Sequence, residues 1–364
     1  MTTAITIESL EEQERNRRRE AFANRMLDVL NSAGLALMCS IGHRTGLFDT
    51  MAQMPPATSQ EIAERAGLNE RYVREWLGAL VLGRIVEYNP DTKTYHLPAD
   101  HAAFLTRAAV PNNLCSPMQW VPVLASVEDQ IIECFQKGGG VDYSAYRRFH
   151  EVMAEESAQS VVAGLEEHII PLVPGLAEAL QAGCDVLDVG CGEAWGMIAL
   201  AQKYPNSRFA GYDFSAEAIA AGRAKAESLG LSNIRLEVKD AAAIGESARY
   251  DLITAFDAIH DQRDPARVLS EIAAALRPDG TFLMQDIHTS SHLHQNMEHP
   301  LGPFLFTISC MHCMTVSLAQ GGAGLGTCWG EELACEMLAR AGFRNVSVHQ
   351  LPHDILNSYY VARL

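Results

Sequence analysis

Asp185-Val-Leu-Asp188-Val-Gly190-Cys-Gly192-Glu-Ala194-Trp195-Gly196 is the stretch that decides the fold. An apolar run that ends in an acidic residue and opens into Gly-x-Gly reads as a buried parallel strand. The turn after it lets a ligand approach bare backbone. A dinucleotide fingerprint needs its third glycine three places after Gly192, where Trp195 stands, and Gly196 comes one place late. That weakens a pyrophosphate reading and favours a cofactor with a ribose and an adenine but no phosphate. S-adenosylmethionine answers that description.

Downstream of this turn the chain alternates strand and helix. Strands are expected over 185–190, 207–213, 233–238, 250–256 and 280–287, with helices over Ala216–Leu229 and Pro265–Leu276 and a turn at Arg277-Pro278-Asp279-Gly280. Such alternation predicts an α/β, Rossmann-like parallel sheet covered by helices on both faces, with ligands at the carboxyl ends of the strands. Several strand tips carry carboxylates. Asp188 and the glycines Gly190 and Gly192 are expected to hold the methionine end, and Asp213 to accept both ribose hydroxyls. Phe214 is placed to lie against the purine, and Asp240 with the Ala241 backbone to meet the adenine edge. Asp257 is assigned to the same cofactor set. A single aspartate at a strand end can equally be a helix cap.

Upstream, the polar segment 1–20 reads as a solvated helix or a frayed arm, and an apolar helical pattern runs through Met26, Leu30, Leu37 and Ile41 to Gly46. Ser59 is a candidate N-cap for one helix and Asn69 for a second through Trp76 and Leu80. A hairpin is expected across Asn89–Lys93. The sum is a winged helix. Residues 1–110 carry twelve Lys and Arg against fourteen Asp and Glu, so phosphate neutralisation is weak and nucleic acid is not the expected partner. Packing of the face Met26, Leu30, Leu37 and Met38 on a second copy, giving a homodimer, is the preferred reading. Residues 111–180 form a helical connector, with Gly138-Gly139-Gly140 as a flexible joint.

Composition sets outer bounds. A net charge of −17 opposes nucleic acid and anionic membrane, and nine scattered cysteines with no apolar leader before Ala21 point to a reducing cytoplasm. No apolar stretch approaches the roughly 20 residues of a membrane span, so no membrane is expected.

The segments Asp188-Val-Gly190-Cys-Gly192, Tyr212-Asp213, Lys239-Asp240-Ala241 and Leu276-Arg-Pro278-Asp-Gly280 resemble the class I S-adenosylmethionine-dependent methyltransferases across roughly residues 150–364. The N-terminal part is similar to the winged-helix domain of small-molecule O-methyltransferases. The whole chain resembles winged-helix methyltransferases often labelled transcriptional regulators, for which thiol methylation has been proposed. The resemblance implies a seven-stranded sheet, whose last antiparallel pair falls at 344–350 and 355–364, and a domain plan of 1–110 for dimerisation, 111–180 for the connector over the active site, and 181–364 for catalysis. It implies S-adenosylhomocysteine as product. One departure is Ala194, where many relatives have glycine.

In the O-methyltransferases this chain resembles, a His-Asp-Trp motif follows the strand that ends here at Phe256, and its histidine is the general base. His260 and Asp261 match it, and Gln262 replaces the tryptophan. The alternative is a structural histidine, because a sulfonium is already a good leaving group and alignment alone supplies much of the rate. Thr289–Thr327, 39 residues, is long for a connection and is expected to act as a lid. His288, His312 and Cys313 are assigned to the acceptor. Cys310 and Cys313 have metal-ligand spacing with His288, His312 or Cys328, but they fall in an apolar helical run where cysteine packs as a small hydrophobe, and no metal is expected. The sequence thus points to methyl transfer to a small thiol or hydroxyl. The rival reading is a winged-helix transcriptional regulator that senses the same cofactor; a methylase of protein or nucleic acid would need an open, basic approach.

Overall fold

The structure, a computed structural model, describes residues 4–364, and the chain divides into two units, Met1–Pro122 and Val123–Leu364. The division falls inside the segment expected to be one connector, so 111–122 belongs with the first unit and the remainder with the second.

In the first unit a 42-residue helix, Ala4–Thr45, is followed by Leu47–Ala52, Ser59–Ala66 and Glu70–Leu82. The third of these helices is capped one residue earlier than expected: Thr58 is the N-cap, its hydroxyl accepting from the Glu61 amide while the Glu61 carboxylate accepts from the Thr58 amide. Ser59 is already helical, and its hydroxyl donates to Glu70. Only the Thr58 position places a glutamate three residues on, which is what a capping box requires. Asn69 caps the next helix as expected. A short hairpin pairs β1 (Glu87–Asn89) with β2 (Thr94–His96) and completes the winged helix. Its core is Phe48 against Trp76 with Ile62, Leu77 and Leu80 around them, and the indole N–H donates to the Met38 carbonyl. On the second helix of the motif, Arg71 pairs with Glu75 and Arg74 with Glu70, so its cations are answered locally. The long helix leaves Phe22, Met26, Leu27 and Leu30 exposed along its length.

The second unit is built on a seven-stranded sheet: β3 (Asp185–Val189), β4 (Arg208–Asp213), β5 (Ile234–Val238), β6 (Tyr250–Phe256), β7 (Leu276–Ile287), β8 (Asn345–Leu351) and β9 (Asp354–Arg363). Their spatial order is β5-β4-β3-β6-β7-β9-β8, parallel throughout except for β9, which runs antiparallel to both neighbours. The central strands are buried on both faces, as an all-helix cover demands, with Val186, Leu187, Val189, Ile253 and Phe282 among their fully enclosed side chains. Chain order runs outward from β3 in one direction and restarts at β6 on the other side. A crevice therefore opens at the carboxyl ends of β3, β4 and β6, where an open α/β sheet holds its ligand.

Three local expectations change. Arg277–Gly280 does turn, but as a bulge inside β7: Leu276 already pairs with Tyr250, and pairing resumes at Leu252–Thr281. Arg277 lies across this bulge with its guanidinium on Asp185 and Asp251. The triple glycine is not a free joint. Gly138 and Gly139 take left-handed backbone, but a Cβ on Gly140 would lie 1.9 Å from the Thr315 carbonyl oxygen, and the Val141 amide donates to the Thr315 hydroxyl. Glycine is needed there for close backbone approach. Lastly, Gly302–Ala319, a helix with one π-turn at Ser309–Cys313, is long and apolar enough by length and composition to cross a membrane, with a mean hydropathy of 1.4. Of its residues, 44% are buried, Leu305, His312, Cys313 and Val316 among them.

Candidate active site

The glycine turn is held open by its own backbone. Gly190 and Gly192 have φ of 72° and 53°, values that side chains rarely adopt, and a Cβ on Gly190 would come within 2.5 Å of the Ala258 methyl. Ala194 also takes left-handed backbone, with φ 60°, at a cost of about 1–2 kcal/mol that glycine would avoid. Asp213, at the end of β4, fastens the turn: one carboxylate oxygen accepts from the Gly192 amide at 2.9 Å, the other from the Ser215 amide at 2.8 Å. The carboxylate is thus fixed in direction before any ligand arrives.

Around this turn lies an open cleft lined by Asp188, Gly190, Gly192, Asp213, Phe214, Asp257 and Asp261 together with Tyr143, Phe149 and His150. Asp188 is buried and accepts from the Thr254 hydroxyl at 2.7 Å; burial pushes its pKa up to about 7. Burial likewise raises Asp257 to about 7, against the pull of His260, and lifts Asp213 against the pull of its two amides. Four aspartates and no lysine or arginine line the cleft. That donor set suits a cationic cofactor with free sugar hydroxyls and repels a pyrophosphate. It fits S-adenosylmethionine. Phe214 is half-exposed, and Trp195 also lines the cleft, with its indole N–H donating to Glu193.

Two of the expected cofactor residues lie elsewhere. The Asp240 carboxylate accepts from the Ala242 amide, capping the turn Ala241–Ala243, and Ala241 is packed in the hydrophobic core. Neither lines the cleft.

Below the cleft floor sits a second group. His260 is buried, and its Nδ1 lies 2.8 Å from Asp286, whose same oxygen accepts from the Trp329 indole at 2.9 Å and from the Ile287 amide. Asp257 stands 3.7 Å from Nδ1 on the other side, with φ 55°. Burial works against a charged imidazole, but Asp286 and the Cys313 sulfur that hydrogen-bonds to it outweigh burial, and the His260 pKa stands well above the ordinary histidine value. His260 is not among the cleft-lining groups, whereas Asp261 is, and the Tyr143 hydroxyl donates to Asp261. Asp286 and Trp329 were missed in the sequence. Asp286 stands near a strand tip, the position that singled out Asp188 and Asp213, so the signal was present.

The lid residues separate. His312 is buried, stacked on Phe149 at 4.4 Å with Tyr143 and Tyr146 edge-on, and burial lowers its pKa to about 3, leaving it neutral. Cys313 is buried beside it, its pKa raised by burial. His288 does not join them: it bonds with Ser358 and Gln350 at the far side of β7. Nor do the cysteines form the metal cluster considered above. Among the described residues the ligand-type atoms brought together, within 4.8 Å of one another, are those of Asp257, His260 and Asp286.

Residues 33–107 match the Rv2258c-like winged HTH domain, and residues 180–321 match a methyltransferase domain. The chain joins a winged helix-turn-helix domain to a methyltransferase domain. It is similar to a demethylmenaquinone methyltransferase of Bacillus cytotoxicus, 33% identical over 106 residues, 29% of this chain and 45% of that protein. A ubiquinone biosynthesis O-methyltransferase of Coxiella burnetii is 31% identical over 107 residues, 29% of this chain and 44% of that protein. The matches span less than half the length of these curated relatives. Among solved structures, a putative O-methyltransferase from Nostoc punctiforme superposes with a TM-score of 0.70 at 21% identity, covering 93% of this chain and 97% of that one. Human N-acetylserotonin methyltransferase, in complex with SAM, gives 0.68 at 15% identity, covering 94% and 97%. These establish a class I methyltransferase fold that follows a helical, winged-helix N-terminal unit.

Proposed function

We propose that this protein is an S-adenosylmethionine-dependent methyltransferase that acts on a small-molecule nucleophile, with a thiol or hydroxyl as acceptor. The observation that carries the proposal is Asp213, fixed by the Gly192 and Ser215 amides at the switch point of the sheet in a cleft lined by four aspartates and no lysine or arginine. Asp213 takes the ribose hydroxyls, the glycine turn and Asp188 take the amino-acid end, and Phe214 covers the purine. Bound there, the cofactor supplies a methyl group on a sulfonium, so attack needs chiefly alignment and a site cleared of water.

His260 serves the acceptor's proton, oriented by Asp286 on Nδ1. Its raised pKa favours the imidazolium, which stabilises a thiolate whose proton has left to solvent, whereas only the neutral imidazole can take the proton of an alcohol. This supports a thiol first and an acidic hydroxyl second. Incubation with methyl-labelled S-adenosylmethionine and a panel of thiols, phenols and amines tests it. Label on a thiol or phenol is expected, and label on amines alone removes the acceptor assignment.

The exposed apolar residues Phe22, Met26, Leu27 and Leu30 support a homodimer formed through the long N-terminal helix. Light scattering is expected to give twice the 39.8 kDa chain mass, and a Leu27→Glu, Leu30→Glu variant to give one chain. A wild-type mass of one chain refutes the dimer.

A further inference from the structure

Tyr143 lies in no recognisable motif, yet it lines the cleft and bonds to Asp261 within it. It sits on a strap between two left-handed breaks, Gly138-Gly139 and Arg148. The strap is fastened to the helix Gly302–Ala319 at two points: the Val141 amide donates to the Thr315 hydroxyl, and the Tyr146 hydroxyl to the Met311 carbonyl. Asp142 caps the single turn Tyr143–Ala145 through the Ser144 amide and so sets the direction of the next side chain. The Tyr143 ring then packs against Phe214 at 5.1 Å, Phe149 at 5.4 Å and His312 at 5.3 Å, and its hydroxyl donates to Asp261.

We propose that Tyr143 is a positioning residue of the methyl-transfer site: from this strap its hydroxyl holds the Asp261 carboxylate at the cleft floor, and its ring closes the wall between Phe214 and His312. The inference rests on the proposed methyl transfer. Asp261 is the acidic neighbour of His260 that lines the cleft, and the Tyr143 hydroxyl holds its carboxylate there beside the imidazole. The groups facing Asp261 come from every surrounding element: Tyr143 on the strap, His260 and Asp257 on its own loop, Asp286 on β7, Asp213 on β4 and Cys313 on the lid helix. Burial pushes Asp261 up to about 6, while His260 and the Tyr143 hydroxyl pull it down. Tyr143 itself stays neutral, because burial and then Asp261 raise its pKa well above the ordinary tyrosine value.

Removing the hydroxyl alone leaves the stack in place, so Tyr143→Phe isolates the bond. A hydrogen bond to a charged group corresponds to about one pH unit or more and about a tenfold effect. In Tyr143→Phe the acid limb of kcat/KM for the acceptor is expected to move up by about one pH unit, so that kcat/KM falls about tenfold below pH 6 and about twofold at pH 7, with cofactor affinity by calorimetry changed less than about threefold. Tyr143→Leu should in addition raise the acceptor KM, because the wall opens. A Tyr143→Phe profile that overlays the wild type overturns the inference while leaving methyl transfer intact. If the wild-type protein binds no S-adenosylmethionine, methyl transfer fails instead. The carboxyl titration of Asp261 by carbon-13 NMR, assigned with Asp261→Asn, then decides the positioning role: an upward move in Tyr143→Phe supports it, and no move refutes it.

Discussion

Asp213→Ala is expected to weaken S-adenosylmethionine binding by about 100- to 10,000-fold, measured by calorimetry, with the fold intact by circular dichroism. Two losses add. The ribose loses two charge-assisted hydrogen bonds, each worth about 1.5–3 kcal/mol. The glycine turn also loses its fastening, since the Gly192 amide at 2.9 Å and the Ser215 amide at 2.8 Å both give their hydrogens to this carboxylate. Asp213→Asn keeps one acceptor and is expected to fall between. The pH dependence follows from the same cleft. Asp188 and Asp257 are each held near 7 by burial, so in the free protein they keep protons that a sulfonium would drive off. Affinity is therefore expected to rise with pH up to about 7 and then level off, with proton release on binding below that point. S-adenosylhomocysteine, which lacks the positive sulfur, should show a flatter profile. Unchanged cofactor affinity in Asp213→Ala refutes the assignment of the cleft.

The parts of this site that the sequence discloses are those set by periodicity and by the end of a strand. Val186, Leu187 and Val189 announce a strand enclosed on both faces, and Gly190 and Asp213 announce what its tip can hold, because both signals are local. The same rule pointed to Asp240, whose carboxylate accepts from the Ala242 amide as that of Asp213 accepts from the Ser215 amide, but Asp240 is not among the residues that line the cleft. Asp286 meets His260 across 26 residues and Trp329 across 43, and Tyr143 meets Asp261 across 118. Such meetings depend on strand order and on how a lid crosses the sheet, which hydrophobic spacing does not encode. His288 shows the converse. Its proximity in sequence to the lid suggested the acceptor, but its position just after β7 turns it towards Ser358 and Gln350 on the antiparallel pair. The Thr58 cap differs from the expected Ser59 by one residue, which is the resolution at which two adjacent hydroxyls can be told apart without knowing where Glu61 points.

His260→Ala is expected to cut turnover of a hydroxyl acceptor at saturating cofactor by about 100-fold or more, with cofactor affinity kept. Its effect on a thiol acceptor should be smaller, because a thiol ionises near neutral pH without help. The raised pKa of His260 fixes the sign of the pH effect: the neutral imidazole gains ground only as pH climbs above the ordinary histidine range, so hydroxyl methylation should keep rising through neutrality. Asp286→Asn removes the charge that holds the proton and should move that rise to lower pH. Stability runs the other way. A histidine whose pKa is raised by folding contributes fully below its unfolded value near 6.5, and the contribution is lost as pH rises through the folded value. Asp286→Ala is harsher than either, since the same carboxylate oxygen serves His260, the Trp329 indole and the Ile287 amide in a fully buried place. Its removal is expected to cost about 3–5 kcal/mol in urea unfolding. The pair of variants separates chemistry from architecture. If His260→Ala turns over a phenol within about threefold of the wild type, the imidazole is a structural partner of Asp286, and proton removal falls to solvent or to Asp261.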